Sequence, residues 1–185
     1  MWAEAVLLPE DLDRVVAQMT PMAVAVGASH LLLFDASPCV LVPDIGLRIV
    51  CKAKVQWPVL GVDVPVTARS LTLLLRPAVA RREEGEALVI TLAVESAELT
   101  GVPGLFEQRI MDLVNKELVK KEVELSWGFA KTLTHSFRLP GALAPLDSLD
   151  LEVLRGRVQI LGDRLALAVQ FGSSVKRHDV AAASP

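Results

Sequence analysis

Three histidines and two cysteines are the side chains in this sequence best suited to metal binding, nucleophilic attack or proton transfer. None of His30, His135 and His178 lies at metal-ligand spacing from another histidine or a cysteine, and Cys39 and Cys51 are not spaced as metal ligands. The sequence contains no G-x-S-x-G nucleophile elbow, P-loop or G-x-G-x-x-G motif. These observations predict a protein that is not an enzyme and that carries no metal or cofactor.

The segment 123–139 contains the most suggestive polar residues, because Lys131 and His135 share the odd positions of this segment with large apolar side chains. A lysine and a histidine on an otherwise apolar strand face could bind the headgroup of a ligand. The alternative is a strand that leaves the cover of a helix and reaches the sheet rim, where a lysine extends its ammonium group into water. The apolar residues at odd positions are Val123, Leu125, Trp127, Phe129, Leu133, Phe137 and Leu139.

The composition excludes several classes of protein. The chain has 185 residues, enough for one ordinary domain, and its 19 basic residues are outnumbered by 22 acidic ones, which excludes a general nucleic-acid binder. Its longest apolar stretch, Met22 to Phe34, is interrupted by Gly27, Ser29 and His30, so no transmembrane span is predicted. Apolar residues and glycine together make up about 58% of the chain, against the usual roughly 45–50%. This excess indicates a large core, an oligomer interface or an apolar cavity.

The N-terminus and the cysteines bear on the cellular compartment. Met1 to Leu8 contains Glu4 and no lysine or arginine, so it is not predicted to be a signal peptide. We therefore expect a cytoplasmic protein from the chain as given, or a periplasmic one if a leader has been removed. Cys39 and Cys51 could pair in an oxidising compartment. Two buried thiols are the favoured alternative, because Cys51 lies in an apolar row where a small side chain fits.

The first half of the chain is predicted to form one helix followed by strands. Pro9 to Met19 begins with a proline suited to the first helical position, and Glu10 and Asp11 complement the helix dipole. From there to about Leu99 apolar and polar residues alternate, which predicts antiparallel strands with one wet face. A change of parity near Arg69 predicts a β-bulge. The strands are predicted over about 30–34, 46–57, 62–75 and 88–94, with a charged hairpin tip at 81–86.

The second half is predicted to contain a long helix and a long strand. About Pro103 to Lys121 should form a helix of roughly 28 Å, with Phe106, Ile110, Val114 and Leu118 in one apolar row. Residues 123–139 are predicted to form a single strand of roughly 56 Å that bends at Gly128. A closing hairpin is predicted from about Leu149 to Phe171.

This order of elements resembles a family of small bacterial lipoproteins. The residues that carry the resemblance are Ser37-Pro38-Cys39-Val40-Leu41 after the first helix, the helix motif from Ile110 to Leu118, and the hairpin at 151–167. They are similar to lipoproteins of the tubular lipid-binding (TULIP) superfamily, relatives in fold of bactericidal/permeability-increasing protein. The resemblance covers about residues 9–171 and implies a curved sheet around a long helix, with an apolar groove for a lipid. Unlike those lipoproteins, this chain shows no signal peptide or lipobox cysteine.

The predicted fold is α+β. Residues 1–172 are expected to form a single TULIP-like domain, and 173–185 a flexible C-terminal tail. A long, strongly curved antiparallel sheet is expected to wrap around the long second helix, with the shorter N-terminal helix beside it. The reason is geometric, because overlong strands with one apolar face and a long amphipathic helix can bury each other only if the sheet curls.

The predicted function is non-enzymatic binding of a lipid or acyl chain in an apolar groove between sheet and helix. The alternative is a protein–protein or assembly module, including a homo-oligomer, that uses an exposed apolar strand or patch and has no cavity. Leu31 to Phe34 supports this alternative, because a strand that is apolar on both faces is either central or covered by a partner. The predicted lining comprises Trp57, Phe106, Ile110, Leu113, Trp127, Phe129 and Leu133, with Lys131 and His135 as headgroup contacts.

Overall fold

The computed structural model describes residues 1–26, 29–59, 62–100, 108, 110–116 and 125–177. These residues form two curled antiparallel sheets with a few short helices. The elements are β1 (Trp2–Leu7), α1 (Pro9–Met19), β2 (Met22–Val26), β3 (Ser29–Phe34), β4 (Val40–Val42), β5 (Gly46–Val59), β6 (Val62–Arg82), β7 (Gly85–Thr100), α2 (110–116), β8 (Leu125–Trp127), α3 (Phe129–Leu133), β9 (His135–Arg138), a short 3₁₀ turn (Gly141–Leu143), β10 (Leu146–Ile160) and β11 (Leu165–Arg177).

The strands are arranged in two sheets. Sheet A has the order β1-β11-β10-β9, and sheet B has the order β2-β3-β5-β6-β7-β8 with β4 also paired to β5. The predicted α+β class broadly fits the structure. The sequence predicted a single wrapping sheet, but the strands form two sheets. Strand β1 was not predicted from the sequence, and it joins the edge of sheet A by pairing with β11.

Several predicted elements of the first half are confirmed. Helix α1 spans Pro9–Met19 as expected. The register of β6 against β7 shifts between Ala68 and Ser70, which confirms the bulge at Arg69. The charged hairpin tip joins β6 to β7, and Gly85 follows its two-residue turn with a φ of +109°, a conformation that favours glycine.

The predicted long strand at 123–139 is wrong. The segment forms β8, then the helix α3, then β9, so Phe129, Lys131 and Leu133 lie on a helix. The apolar residues at 129 and 133 are four residues apart. This spacing fits the alternation of a strand and also the period of a helix. Burial of Phe129 and Ala130 between the two sheets decides for the helix. Gly128 lies at the change of direction, where the sequence predicted a bend.

The predicted long helix is only partly within the described residues. Residues 110–116 are helical, and the remaining positions of the prediction, except Gln108, lie outside them. At the C-terminus, β11 continues to Arg177, five residues into the segment predicted as tail. Residues 173–177 belong to the strand because they pair with β10. The rest of the predicted tail lies outside the described residues.

The described residues form three apolar core clusters. The largest covers the face of sheet B that contacts α2, and the second joins α1 to β4, β5 and the β10–β11 hairpin. The third centres on Phe129, whose side chain is fully buried between sheet B residues such as Leu88 and sheet A residues such as Leu167. Helix α3 therefore holds the two sheets together.

The contact between Phe129 and Gly156 requires a glycine in β10. A Cβ atom at Gly156 would lie 2.5 Å from the Phe129 ring. The Gly156 amide also donates a hydrogen bond to the carboxylate of Glu86 in β7. The absence of a side chain at position 156 thus lets an aromatic ring and a strand from sheet B approach the same point of sheet A.

Gly156→Ala is expected to lower the free energy of unfolding by about 1–3 kcal/mol, because the added methyl overlaps the Phe129 ring. Urea denaturation measures the change, with Gly141→Ala as the matched control, since a methyl there meets no atom within 4 Å. In a Phe129→Leu background the same substitution should be less destabilising. An equal loss in both backgrounds would show that the ring is not the cause.

Candidate ligand-binding site

One face of sheet B forms a continuous apolar surface, which we call the apolar trough. On β5 it runs from Ile49 to Val55, a length of about 20 Å. Alternation along each strand places these residues on one face and residues such as Arg48 and Lys52 on the other. The trough comprises Leu31, Leu33, Ile49, Cys51, Ala53, Val55, Val66, Ala68, Leu71, Leu73, Leu75, Leu92, Val94, Ala97 and Leu99.

Two small unfilled spaces lie along the trough, each of about 40 Å³. The α2 space lies between sheet B and α2, and every residue that lines it is apolar. The α1 space lies beside the C-terminal end of α1, where Val16 and Met19 contribute to its wall. An apolar space of this kind stays dry, and its lining atoms lack dispersion partners on one side. The trough is therefore suited to aliphatic groups.

Helix α2 covers part of the trough with Ile110, Met111 and Val114. Ile110 was predicted as a lining residue and lies in this position. Leu113 was also predicted there, but 42% of its surface is exposed. Leu113 is exposed because the face of α2 that packs on the sheet contains Met111 beside Ile110 and Val114. Position 113 lies to one side of this face.

Asn115 fixes α2 to the sheet by two hydrogen bonds to the same residue of β7. Its Oδ1 accepts from the Val94 amide at 2.7 Å, and its Nδ2 donates to the Val94 carbonyl at 2.9 Å. The described residues of β8 pair with β7 at Leu88–Ile90, and Asn115 satisfies main-chain groups of β7 beyond this pairing. Asn115 lies within the helix motif from Ile110 to Leu118, but the sequence predicted no role for it. A polar residue next to the apolar row was the available signal.

Three other predicted lining residues, Trp127, Phe129 and Leu133, do not line the two trough spaces. Phe129 and Leu133 belong to the third core cluster, and Phe129 is fully buried there. Trp127 is 43% exposed, and its Nε1 donates to the Thr132 hydroxyl. Trp57 lies in β5, but its side chain is outside the described structure. The whole of Phe106 is outside the described residues.

Lys131 and His135, the predicted headgroup contacts, lie together in a separate polar cleft of about 760 Å³. Lys131 Nζ is 3.0 Å from Glu84 Oε2, and both side chains are exposed, so this ion pair contributes little. The His135 ring packs edge-on against Phe137. The cleft residues are Glu84, Gly85, Ala130, Lys131, Thr134, His135, Ser136, Asp150, Glu152, Val153, Gly172, Ser173 and Ser174, and none of them lines the two trough spaces.

Asp150 carries the clearest electrostatic perturbation in the cleft. Hydrogen bonds from Lys176 Nζ at 2.7 Å and from the Ser136 hydroxyl at 2.6 Å hold the pKa of this carboxyl below its ordinary value. The same contact raises the pKa of Lys176. Because the pKa of Asp150 is lower in the folded protein, its contribution to stability is present above the unfolded pKa and is lost as the pH falls through the folded pKa.

The two cysteines are free and buried, as the sequence predicted. Burial raises the pKa of Cys51 to about 11, and burial together with the nearby Asp13 carboxylate raises that of Cys39 to about 11. Cys51 lies in the trough, and Cys39 packs under α1. Both thiols are therefore protonated and weakly reactive at neutral pH.

No group of three or more histidine, cysteine, aspartate or glutamate side chains that could hold a metal ion occurs within the described residues. Among the helices in the same part of the chain, none has the length and apolar character needed to cross a membrane.

The chain matches no family model, and no curated protein matches it. A solved structure described as "Crystal structure of lipopolysaccharide binding protein" aligns with 98% of this chain at 14% identity, with a TM-score of 0.39. The aligned region is 53% of that solved chain, so this chain spans about half its length. A likeness with this TM-score does not establish a shared fold, and the TULIP resemblance stays a prediction.

The pKa of Asp150 should rise toward its ordinary value when either of its partners is removed. We expect a larger rise for Lys176→Met than for Ser136→Ala, because the lysine makes the stronger of the two contacts and also contributes its charge. Carboxyl carbon NMR titration of the folded protein measures both values. Ser174→Ala, in the same cleft, serves as the control and should leave the titration unchanged. The reverse order for the two partner variants would contradict the assignment.

Proposed function

We propose that this protein binds a hydrophobic ligand, a lipid or free acyl chain, in the apolar trough without catalysing a reaction. The observation that carries the proposal is the continuous apolar lining of the trough, with two unfilled spaces along its length. The trough is about 20 Å long, which is comparable with an extended long acyl chain. Ligand sites are concave and mostly apolar, in agreement with this surface.

The spaces are too small for a whole acyl chain while α2 is seated. A bound chain must therefore displace Ile110, Met111 and Val114 from the trough and replace their contacts with its own. The exchange is favourable where the chain also fills the unfilled spaces, because lining atoms such as those of Ala53 and Ala97 then gain dispersion partners. The ligand thus replaces a helix face that packs imperfectly on the sheet.

A polar end of the ligand has candidate contacts beyond α3. Lys131 and His135 share the polar cleft with Ala130, and the adjacent Phe129 belongs to the core cluster that contacts Val79 and Leu88 of sheet B. The exposed Lys131–Glu84 pair is weak enough to exchange for an anionic group. We keep these two residues as headgroup contacts within the proposal and place the aliphatic part in the trough.

The direct test is native mass spectrometry of gently purified protein, followed by lipid extraction and by thermal unfolding with added palmitate. Binding to the folded state should raise its stability by about 2.7 kcal/mol at a hundredfold excess over the dissociation constant. Ala97→Leu fills the α2 space, so it should leave the ligand-free thermal midpoint unchanged or higher and remove most of the palmitate-induced shift.

Ala78→Leu is the matched control, because the same enlargement occurs at an exposed position of β6 outside the trough. It should retain the full shift. Absence of extracted acyl chains, together with no thermal shift of the unmodified protein with palmitate or phospholipid vesicles, would contradict the proposal.

A second candidate function is assembly with another protein chain. Strand β3 no longer supports it, because Leu31 and Leu33 are buried and the strand lies between β2 and β5. Exposed apolar residues elsewhere do favour it, since several lie on β1, at its junction with α1 and along α1, and β1 is an edge strand. These residues are Trp2, Val6, Leu7, Leu8, Val15 and Met19.

If this patch joins two copies, sedimentation equilibrium should show a dimer that Val15→Glu converts to monomer. Ala17→Glu, at another exposed position of α1, is the control and should leave the association unchanged. A monomer at all concentrations for the unmodified protein would exclude self-association through this surface.

A further inference from the structure

Helix α2 and sheet B meet through two different kinds of contact. Ile110, Met111 and Val114 contribute apolar contacts, which an acyl chain can replace. The Asn115 side chain contributes two hydrogen bonds to Val94, which an aliphatic chain cannot replace. Displacement of α2 therefore exchanges the apolar contacts at little loss, whereas the two hydrogen bonds must be broken.

The two Asn115–Val94 hydrogen bonds are positioned to hold α2 against β7. Val94 lies in the trough on β7, beyond the three residues that β8 covers, so its amide and carbonyl are accessible to a side chain. Asn115 follows Val114, whose side chain is 8% exposed and seats α2 on the sheet. The amide of Asn115 matches the donor and acceptor of one main-chain residue, as a paired strand would.

We propose that Asn115 is a latch that controls access to the apolar trough by holding α2 against β7. Release of the latch lifts residues 110–116 and exposes the trough floor. The latch sets the rate of ligand uptake, and this role rests on the proposed function. The opening itself is a property of the protein alone, so it is measurable without a ligand.

A single-thiol probe beneath α2 measures this opening. Ala53 is 1% exposed and lines the α2 space, so Ala53→Cys in a Cys39→Ser, Cys51→Ala chain places a thiol on the trough floor. A second chain, Cys51→Ala, retains Cys39 under α1 as a reference thiol in another core cluster. The labelling rate of each thiol with a small disulfide reagent reports the fraction of molecules in which it is exposed.

Asn115→Ala should accelerate labelling of the probe at position 53 by about tenfold or more, since two hydrogen bonds are lost. Labelling of Cys39 should change much less. Asn115→Asp should also accelerate the probe, because a carboxylate can accept from the Val94 amide but cannot donate to its carbonyl. Gln108→Ala is the control, because it removes a bond to Asp112 on the exposed side of the helix and should leave both rates unchanged.

Equal acceleration of both thiols would indicate global destabilisation and would overturn the latch, as would an unchanged rate at position 53. Palmitate provides a separate arm. If the probe is accelerated by Asn115→Ala but palmitate neither slows its labelling nor shifts the thermal midpoint, the latch stands and the proposed function fails. If palmitate protects the probe equally and binds at the same rate with and without Asn115, the latch fails and the proposed function stands.

Discussion

Long strands whose neighbours are short impose the main constraint on this structure. Beyond a short partner, the amides and carbonyls of the longer strand must find other hydrogen-bonding groups wherever water is excluded. In the part of the chain that the structure describes, β7 has sixteen residues, of which β8 pairs with three, and β10 has fifteen, of which β9 pairs with four. Side chains supply the missing partners: Asn115 bonds Val94, the Thr134 hydroxyl accepts from the Val153 amide, and Glu86 accepts from the Gly156 amide.

These side-chain contacts also determine how the helices and sheets are joined. Asn115 brings α2 onto sheet B, Thr134 follows α3 and contacts β10, and Glu86 connects the β6–β7 hairpin to sheet A. Packing of Phe129 against Gly156 completes the junction between the sheets. The two sheets consequently share a core at one end of sheet B, whereas α2 covers the trough farther along that sheet.

Much of the apolar excess of the sequence packs in the three core clusters, and Phe129 is an example of a residue expected at a ligand that instead holds the fold together. The largest cluster lies in the trough itself, where small side chains such as Ala53, Ala68 and Ala97 leave space under α2. Lys131, His135 and Asp150 lie in a separate cleft, and none of its residues lines the two trough spaces.

The sequence by itself determined the local elements whose periodicity has one interpretation. Helix α1, the strands β3, β5, β6 and β7, the bulge at Arg69 and the closing hairpin follow from apolar spacing and turn residues, which act over a few neighbours. The segment 123–139 was compatible with both periods, and only burial of Phe129 between two sheets decided for a helix. Likewise, Asn115 became part of the candidate site through Val94, twenty-one residues away, and spacing in one helix carries no information about such a partner. Tertiary structure decides these cases because the contacts that stabilise each conformation join groups that are distant in sequence and meet only in the folded chain.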